Sequence, residues 1–306
     1  MIDSLDILIR GLIFDKSVNI IAINGRKMVQ KARELHELSR VCTAALGRML
    51  LQTAMMSTQL KTETDRLTNI ISGDGPIGNI VCTARPNGIV KGYVVNPQVE
   101  LPPTQEGKLD VAAAVGRSGT LTVIRDMSLR EPYMGKSDIV SGEIAEDFTN
   151  YYFFSEQQPN AIYLGVRVDT QSGEVLAAGG LMLMPLPDCP DYVLDELQTV
   201  LPKLQSLSKM LEEMSLESAL AELFDGLGFL ELERLEPKFE CDCSKERLIS
   251  VLAALGKEEL RDMAEHDKGA ELHCRFCNQT YKFSEQELYM IIEETEQTQQ
   301  NDENFS

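Results

Sequence analysis

Four of the chain's seven cysteines form two close pairs towards the C-terminal end. Cys241 and Cys243 make a Cys-x-Cys pair, and Cys274 and Cys277 make a Cys-x-x-Cys pair. Four thiolates can complete a tetrahedral shell around Zn²⁺, with Zn–S bonds of about 2.3 Å. Each pair is also spaced to close on itself as a disulfide. The same four sulfurs can therefore hold one zinc ion or two disulfide bonds, but not both.

The pattern favours zinc, and a purely structural ion is the usual role of such a site. The Cys-x-Cys pair is one residue shorter than the common zinc pair, so the match to a standard zinc ribbon is imperfect. His273 lies beside Cys274 and could replace a ligand, but four thiolates already complete the shell. We therefore expect His273 to be a bystander, and we expect His266 to lie on the surface.

Charge argues against two classes of partner. The chain has 306 residues and a formal net charge of −19, which would repel nucleic acids and anionic membranes. The cysteine region, residues 237–290, has 8 Lys and Arg against 11 Asp and Glu, whereas zinc modules that bind DNA are normally basic. No stretch of about 18 apolar residues predicts a transmembrane helix. We therefore expect no nucleic-acid partner and no membrane partner.

The expected location is the cytoplasm. The first ten residues lack the basic start and apolar run of a signal peptide. An odd cysteine count without secretion favours a reducing compartment, where metal binding and redox sensing are more common than structural disulfides.

The first part of the chain predicts an α+β domain over residues 1–184, with mixed helices and mostly antiparallel sheet. Apolar periodicity and turn residues give the predicted elements. Helices are expected at 26–38, 40–58 and 143–155, and strands at 18–24, 67–72, 77–84, 89–95, 121–126, 138–141, 162–169 and 175–184.

Two local patterns have a tempting interpretation and a plainer one. Residues 73–78 match G-x-G-x-x-G, but that motif must open a helix, and residues 79–82 predict a strand. A hairpin turn is the better interpretation. Cys42 near His36 could suggest a nucleophile pair, although a buried thiol in a packed helix is the more common role.

A helical middle segment follows, at residues 185–236. Pro185, Pro187 and Pro190 mark its start, and apolar residues over 191–225 recur with a seven-residue period. Pro202 should break or kink this stretch. It is either an ordinary helical hairpin packed on the first domain or a metastable linker that exposes an apolar surface conditionally.

The cysteines belong to a small zinc module at residues 237–292, followed by a Gln-rich, acidic tail at 293–306 that predicts disorder. The module should contain a helix capped by Ser244, a short helix at 258–265, a hairpin at 272–283 and a last helix capped by Ser284 and Glu287. A module of this size has a thin core. Because structural zinc contributes roughly 10–16 kcal/mol in small sites, metal removal should unfold it.

Oxidation offers a route to metal loss. Thiolates are the form of cysteine that oxidants attack, so pairing Cys241 with Cys243 and Cys274 with Cys277 would remove all four ligands. The helical segment upstream would then lose its neighbour and expose its apolar face. Exposed apolar surfaces bind other apolar surfaces, including unfolded chains.

The chain resembles the redox-regulated bacterial heat-shock chaperone family, the 33 kDa chaperonins, nearly from end to end. The pairing of Cys-x-Cys with Cys-x-x-Cys at this separation is the specific feature, and the sequence does not depart from the family at these cysteines. Further matching stretches are 73–76, 148–159, 177–180, 239–244 and 273–278, with Tyr281 and Phe283.

The resemblance implies an ATP-independent holdase rather than an enzyme. It implies a reduced, inactive form with one Zn²⁺ per chain on Cys241, Cys243, Cys274 and Cys277. Oxidation would form the Cys241–Cys243 and Cys274–Cys277 disulfides, release zinc, and unfold the module and the linker. The oxidised form, as a homodimer, would bind unfolded or aggregation-prone client proteins under oxidative or heat stress.

Two other functions remain open from the residues alone. The first is a thiol–disulfide oxidoreductase using Cys274 and Cys277, although such enzymes place Cys-x-x-Cys at a helix start. The second is a structural zinc module that recruits a partner protein.

Overall fold

The computed structural model describes the backbone of residues 5–304 and the side chains of residues 5–295. The chain divides into two compact units, residues 1–240 and residues 241–306. The segment 185–236, predicted as a separate helical linker, falls within the first unit. The boundary between the units lies directly before Cys241.

The first unit contains two sheets in the described part of the chain. A five-stranded antiparallel sheet has the order β10-β1-β2-β9-β8, and a six-stranded sheet has the order β11-β5-β4-β3-β6-β7, with β11 parallel to β5. Mixed helices and mostly antiparallel sheet were predicted, and this is confirmed. The strands are β1 (Ile7–Ile13), β2 (Val18–Asn24), β3 (Arg66–Gly73), β4 (Ile80–Arg85), β5 (Ile89–Val94), β6 (Gly119–Asp126), β7 (Tyr133–Asp138), β8 (Ala161–Val168), β9 (Val175–Pro185), β10 (Leu230–Leu235) and β11 (Lys238–Phe239).

One long helix forms the centre of the main core. Nearly every side chain of α2 is buried, and its Leu46, Met49 and Leu50 pack among residues of both sheets. Burial on all sides explains why apolar residues occur on every face of α2. The helices of the first unit are α1 (Arg26–His36), α2 (Arg40–Ser57), α3 (Val111–Val115), α4 (Ala145–Phe154), α5 (Asp191–Leu204), α6 (Leu207–Glu213) and α7 (Leu216–Leu223).

The five-stranded sheet is buried on both faces. In β2, Ile21 and Ile23 join the main core, whereas the alternate residues Val18 and Ile20 join a second core. The period of two in a strand explains this division. Helices α5 to α7 supply the other half of the second core. At Gly179 the approach is close, since a Cβ there would lie 2.3 Å from Leu211 Cδ1 of α6.

The second unit is a small α/β module with its own core. It consists of α8 (Lys245–Ala253), α9 (Lys257–Asp262), a π-helical turn (Met263–Asp267), the hairpin β12 (Gly269–His273) and β13 (Thr280–Ser284), and α10 (Glu285–Asn304). The predicted capping box is present, because Ser284 Oγ accepts from the Glu287 N–H while Glu287 Oε2 accepts from the Ser284 N–H. Seven side chains are buried in this core: Leu252, Leu260, Ala264, Phe283, Leu288, Ile291 and Ile292.

Several predicted elements need correction. Residues 185–236 are not helical throughout, because 230–235 form the edge strand β10, whose alternation of Leu and Glu is a strand pattern. The predicted disordered tail at 293–306 is wrong for 293–304, which continue α10, since Glu and Gln are good helix formers. Residues 305–306 lie outside the described part. The strand predicted at 138–141 instead occupies Tyr133–Asp138 as an exposed edge.

Both plain interpretations of the local patterns are confirmed. Residues 74–79 connect the antiparallel strands β3 and β4, so the glycine-rich stretch is a hairpin connection and not a phosphate loop at a helix start. Cys42 is fully buried, and burial raises the pKa of its thiol. In the described residues, no helix is both long enough and apolar enough to span a membrane.

Candidate metal centre

The four clustered cysteines come from two neighbouring segments of the second unit. Cys241 and Cys243 lie in the segment that leads into α8, which begins where Ser244 Oγ accepts from the Arg247 N–H. Cys274 and Cys277 lie in the turn between β12 and β13. A helix cap and a hairpin therefore fix the backbone on which the two pairs are held.

The turn at Cys274 is tightly hydrogen-bonded. The carbonyl of Cys274 accepts from the N–H groups of Cys277 at 3.3 Å and Asn278 at 2.8 Å, and the Cys274 N–H donates to the Gln279 carbonyl at 2.9 Å. Asn278 takes a positive φ of 54°, which Asn tolerates better than most residues. These bonds turn both sulfurs of this pair towards the same side.

The structure brings the four predicted cysteines together. Their sulfurs all lie within 4.8 Å of one another, and all four side chains are half-buried. The Sγ atoms of Cys241 and Cys274 are 3.8 Å apart, and those of Cys243 and Cys277 are 3.2 Å apart. Sulfurs at the corners of a tetrahedron with Zn–S bonds of about 2.3 Å would be about 3.8 Å apart. The donor set therefore fits a zinc ion in size and in chemistry.

The thiols in this cluster differ in acidity. Burial raises the pKa of the Cys243 thiol, but hydrogen bonds from Tyr281 and from the neighbouring cysteines outweigh burial and lower that pKa to about 7. Burial and the hydrogen bond with Cys243 raise the pKa of the Cys277 thiol. The Cys243 thiol is therefore more acidic than the Cys277 thiol, and a bound cation would favour the thiolate form of both.

Tyr281 is the polar group that touches the cluster from β13. Its hydroxyl oxygen lies 3.2 Å from Cys243 Sγ, and the hydroxyl also faces the Cys243 carbonyl at 3.2 Å and Gln279 Oε1 at 2.8 Å. The hydrogen bond to Cys243, together with burial, raises the pKa of the Tyr281 hydroxyl, so it keeps its proton and acts as a donor.

Two further interactions tie the first cysteine segment to the rest of this unit. Arg247 forms an ion pair with Asp242 and donates to the Asp242 carbonyl at 3.1 Å. Lys245 pairs with Glu287 at 2.5 Å and lies 4.9 Å from the ring centroid of Phe283. Lys245 therefore links the start of α8 to the start of α10 and to the core of the unit.

The other candidate residues lie outside the cluster. His273 Nδ1 contacts Thr280 Oγ1 at 3.2 Å and its side chain is exposed, and the exposed His266 pairs with Asp262. Cys82 is buried in the first unit, and its pKa is raised well above its ordinary value by burial. Cys189 is a half-buried free thiol near the start of α5.

Sequence reasoning missed three polar side chains around the cluster. Tyr281 has no assigned role without the structure, and neither does Gln279 or Arg247. The sequence signal for Tyr281 is weak: it lies four residues after Cys277, in the strand that follows the turn. Its position beside Cys243, 38 residues earlier in the chain, needs the fold.

Comparisons with known proteins match this chain over most of its length. The family model described as Hsp33 protein matches residues 6–284. A 33 kDa chaperonin from Clostridioides difficile is 46% identical over 290 residues, which are 94% of this chain and 99% of that protein. A 33 kDa chaperonin from Caldanaerobacter subterraneus is 41% identical, covering 95% of this chain and 99% of that protein.

A solved structure gives the same match. The crystal structure of a 33 kDa chaperonin, described as a heat shock protein 33 homologue from Thermotoga maritima, aligns with a TM-score of 0.85 at 36% identity. The alignment covers 95% of this chain and 98% of the other. Both the sequence and the fold of this chain are therefore those of one family.

Proposed function

The chain belongs to the Hsp33 protein family, and from this premise we propose that it is a redox-regulated, ATP-independent chaperone that holds unfolding proteins against aggregation. The observation that carries the proposal is the cluster of four cysteine sulfurs within 4.8 Å of one another in a unit with seven buried core side chains. Such a unit depends on whatever holds its sulfurs together.

In the reduced form, Cys241, Cys243, Cys274 and Cys277 hold one Zn²⁺ per chain. A bound Zn²⁺ would offset half of the negative charge of the four thiolates and would join the segment before α8 to the β12–β13 turn. Apparent zinc-binding free energies of about 10–16 kcal/mol are as large as or larger than the stability of a small domain. The metal therefore supplies the larger part of the stability of the second unit, and the loaded form is the inactive one.

Oxidation removes the ligands by forming the Cys241–Cys243 and Cys274–Cys277 disulfides. Each pair of thiolates loses two electrons, and for each bond one molecule of hydrogen peroxide takes up these electrons and two protons from the solvent to give two molecules of water. The 3.8 Å and 3.2 Å contacts join sulfurs of different pairs, whereas a disulfide bond is about 2.05 Å long. Pairing within each segment leaves no sulfur that joins the two segments, which favours release of the ion and unfolding of the unit.

The client-binding surface lies in the first unit. Helices α5 to α7 cover one apolar face of the five-stranded sheet, formed by residues of β1, β2 and β9. The covering helices are weak, because α6 and α7 are short and Pro202 near the end of α5 cannot donate a backbone hydrogen bond. Strand β10, which follows them, is an edge strand with Leu230 and Leu232 exposed.

We infer that unfolding of the second unit spreads along the chain to β10 and these helices and uncovers that sheet face. A broad apolar face of this kind binds the exposed apolar segments of unfolding proteins without a sequence motif. The active form is a homodimer in the cytoplasm, it needs no nucleotide, and it has no nucleic-acid or membrane partner. The net charge of −19 keeps such an exposed form soluble and supports the last point.

The oxidoreductase alternative receives less support. Cys274 and Cys277 lie in a hairpin turn rather than at a helix N-terminus, and the pKa of the Cys277 thiol is raised by burial and by Cys243. A catalytic pair of this type needs a thiol of lowered pKa at an exposed position. Reduction of insulin by the dithiol form would revive this alternative.

The test is an aggregation assay with a client that unfolds on heating. Light scattering is followed with the zinc-loaded reduced chain, with the same chain after peroxide, and with the oxidised chain after re-reduction in zinc. We expect suppression of scattering only by the oxidised sample. Equal scattering in all three samples would contradict the proposed function.

A further inference from the structure

Tyr281 contacts the cysteine cluster in a way that metal ligation does not require. Its hydroxyl lies 3.2 Å from Cys243 Sγ, and it belongs to β13, whereas Cys243 belongs to the segment before α8. The contact therefore joins the two segments that carry the two cysteine pairs.

The hydroxyl has one proton and three neighbouring acceptors. Cys243 Sγ and the Cys243 carbonyl each lie at 3.2 Å, and the exposed Gln279 Oε1 lies at 2.8 Å. A tyrosine O–H can donate only one bond at a time. Hydrogen bonds to charged acceptors are about twice as strong as neutral ones, so a metal-held thiolate is the strongest of the three acceptors. Gln279 competes with that thiolate for the same proton.

We propose that Tyr281 is a positioning residue that restrains the reactivity of the Cys243 sulfur, and that Gln279 sets the strength of this restraint. The inference rests on the proposed function, since it concerns a thiolate held by the metal and attacked by an oxidant. A thiolate that accepts a hydrogen bond has part of its electron density engaged and is a weaker nucleophile. Cys243 is then the protected member of the cluster.

The restraint has a consequence for the switch. With the Tyr281 hydrogen bond in place, the Cys243 sulfur reacts with an oxidant more slowly than it would without that bond. A higher oxidant concentration is therefore needed to release the ion. Without the hydroxyl, Cys243 alone becomes more reactive, because the other three sulfurs keep their surroundings. A merely structural role for Tyr281 would instead loosen the whole cluster and expose all four sulfurs alike.

The experiment measures the alkylation rate of each cysteine in the full, zinc-loaded chain. Iodoacetamide is the probe, which transfers its carbamoylmethyl group to sulfur with loss of iodide, and peptide mass spectrometry with fragmentation assigns the label to each of the four cysteines, including Cys241 and Cys243 within one peptide. Tyr281→Phe keeps the ring and removes the hydroxyl. We expect Cys243 to react roughly three- to tenfold faster, the effect of losing one charge-assisted hydrogen bond. Cys274 and Cys277 should stay within about twofold of the original chain.

A second variant should act in the opposite direction. Gln279→Met removes the competing acceptor while keeping the backbone groups that bond to the turn, and it leaves the tyrosine untouched. We expect Cys243 to react about two- to threefold more slowly than in the original chain. Tyr289→Phe, on α10 and part of the same core, is the matched control and should leave all rates unchanged.

The outcomes separate this inference from the proposed function. The original chain is first tested for zinc content and for peroxide-dependent suppression of aggregation. A chain that fails either test contradicts the proposed function and removes the basis of the Tyr281 inference with it. If the original chain passes both, equal acceleration of all four cysteines in Tyr281→Phe, or no acceleration, overturns the Tyr281 inference alone. Selective acceleration at Cys243 with the opposite effect of Gln279→Met supports it.

Discussion

The two units of the chain keep their folds by different means. The first unit has two apolar cores around both faces of the five-stranded sheet, with α2 buried on all sides. The second unit has a core of seven buried side chains and the four-cysteine cluster. At about 25 cal/mol per Å² of buried apolar surface, the first unit is large enough to fold on burial alone. A core as small as the second requires a further link.

This difference between the two units determines which of them can act as a redox switch. A signal that removes one kind of link should unfold first the unit that depends on it. The second unit depends on four sulfurs, and sulfur is the side-chain atom that an oxidant changes most readily. The first unit contains three cysteines: Cys42 and Cys82 are fully buried, whereas Cys189 is half-buried and lies outside the cluster. Burial raises the pKa of all three thiols, so the same oxidant attacks them less readily.

Metal removal should separate the two units most strongly. A chelator withdraws about 10–16 kcal/mol of binding free energy from the second unit and none from the first. We expect amide hydrogen exchange at 245–292 to become fast, while exchange in β2 and α2 stays slow. Hydrogen exchange followed by mass spectrometry measures both in one sample. Slow exchange at 245–292 in the metal-free chain would contradict the claim that the second unit, unlike the first, needs the metal to stay folded.

Loss of a single sulfur should have the next largest effect. Cys243→Ser replaces one proposed ligand, and we expect most of the bound zinc to be lost and the second unit to loosen. Cys189→Ser is the matched control, because Cys189 is also a half-buried free thiol but lies outside the cluster. Native mass spectrometry gives the metal content of each variant. Equal zinc in both variants would argue against Cys243 as a ligand.

A cavity made in the core of each unit tests whether the stability of that unit depends on zinc. Leu46 and Leu288 are both fully buried, one in each unit. Replacing a buried Leu by Ala costs about 2–5 kcal/mol. Leu46→Ala should lower the denaturant midpoint of the first unit by the same amount with and without zinc. Leu288→Ala should lower the zinc affinity roughly 30-fold or more, because folding and metal binding of the second unit are one equilibrium.

Denaturant unfolding and chelator competition together provide the measurement. If Leu288→Ala left the zinc affinity unchanged, then the second unit would fold without its metal and the two units would not differ as described. If the effect of Leu46→Ala on the denaturant midpoint depended on zinc, this would also contradict the described difference between the units, because the stability of the first unit should not depend on the metal.

Removal of one helix cap in each unit should have the smallest effect on zinc affinity. Ser284 caps α10 in the second unit and Ser215 caps α7 in the first, each by accepting a backbone N–H at 3.3 Å. Replacing such a cap with Ala costs about 1 kcal/mol. Ser284→Ala should therefore weaken zinc binding about fivefold, whereas Ser215→Ala should leave it unchanged. Chelator competition measures both, and equal zinc affinities would mean that α10 does not contribute to the metal-bound fold.

Much of the fold could be predicted because apolar periodicity is strong where burial is strong. The alternation in β2, with one set of residues in each core, and the apolar face of α1 both gave elements close to those observed. Edge elements were harder. Strand β7 is exposed at most positions and contains Gly135, so neither alternation nor propensity marks it, and β10 pairs with β1 over more than 200 residues of chain.

The candidate site also has one part that could be predicted from the sequence and one part that could not. The spacing of the cysteines predicts a four-sulfur cluster, because two short pairs in one small module can reach a single ion. The contacts that tune the cluster could not be predicted. Tyr281 reaches Cys243 only because the hairpin register and the approach of the segment before α8 place them together, and that approach is a property of the folded unit. Arg247 lies beside Asp242 for the same reason, since Ser244 starts α8 between them.

The most direct test of the central claim follows metal and structure in one sample through oxidation. Zinc-loaded chain is treated with peroxide, and released zinc, disulfide content and hydrogen exchange are measured at matched times. We predict that zinc release and disulfide formation coincide with fast exchange at 241–292 and then at 191–235, while β2, β9 and α2 stay protected. Release of zinc with exchange at 241–292 unchanged, or oxidation of the cysteines with zinc still bound, would contradict the account.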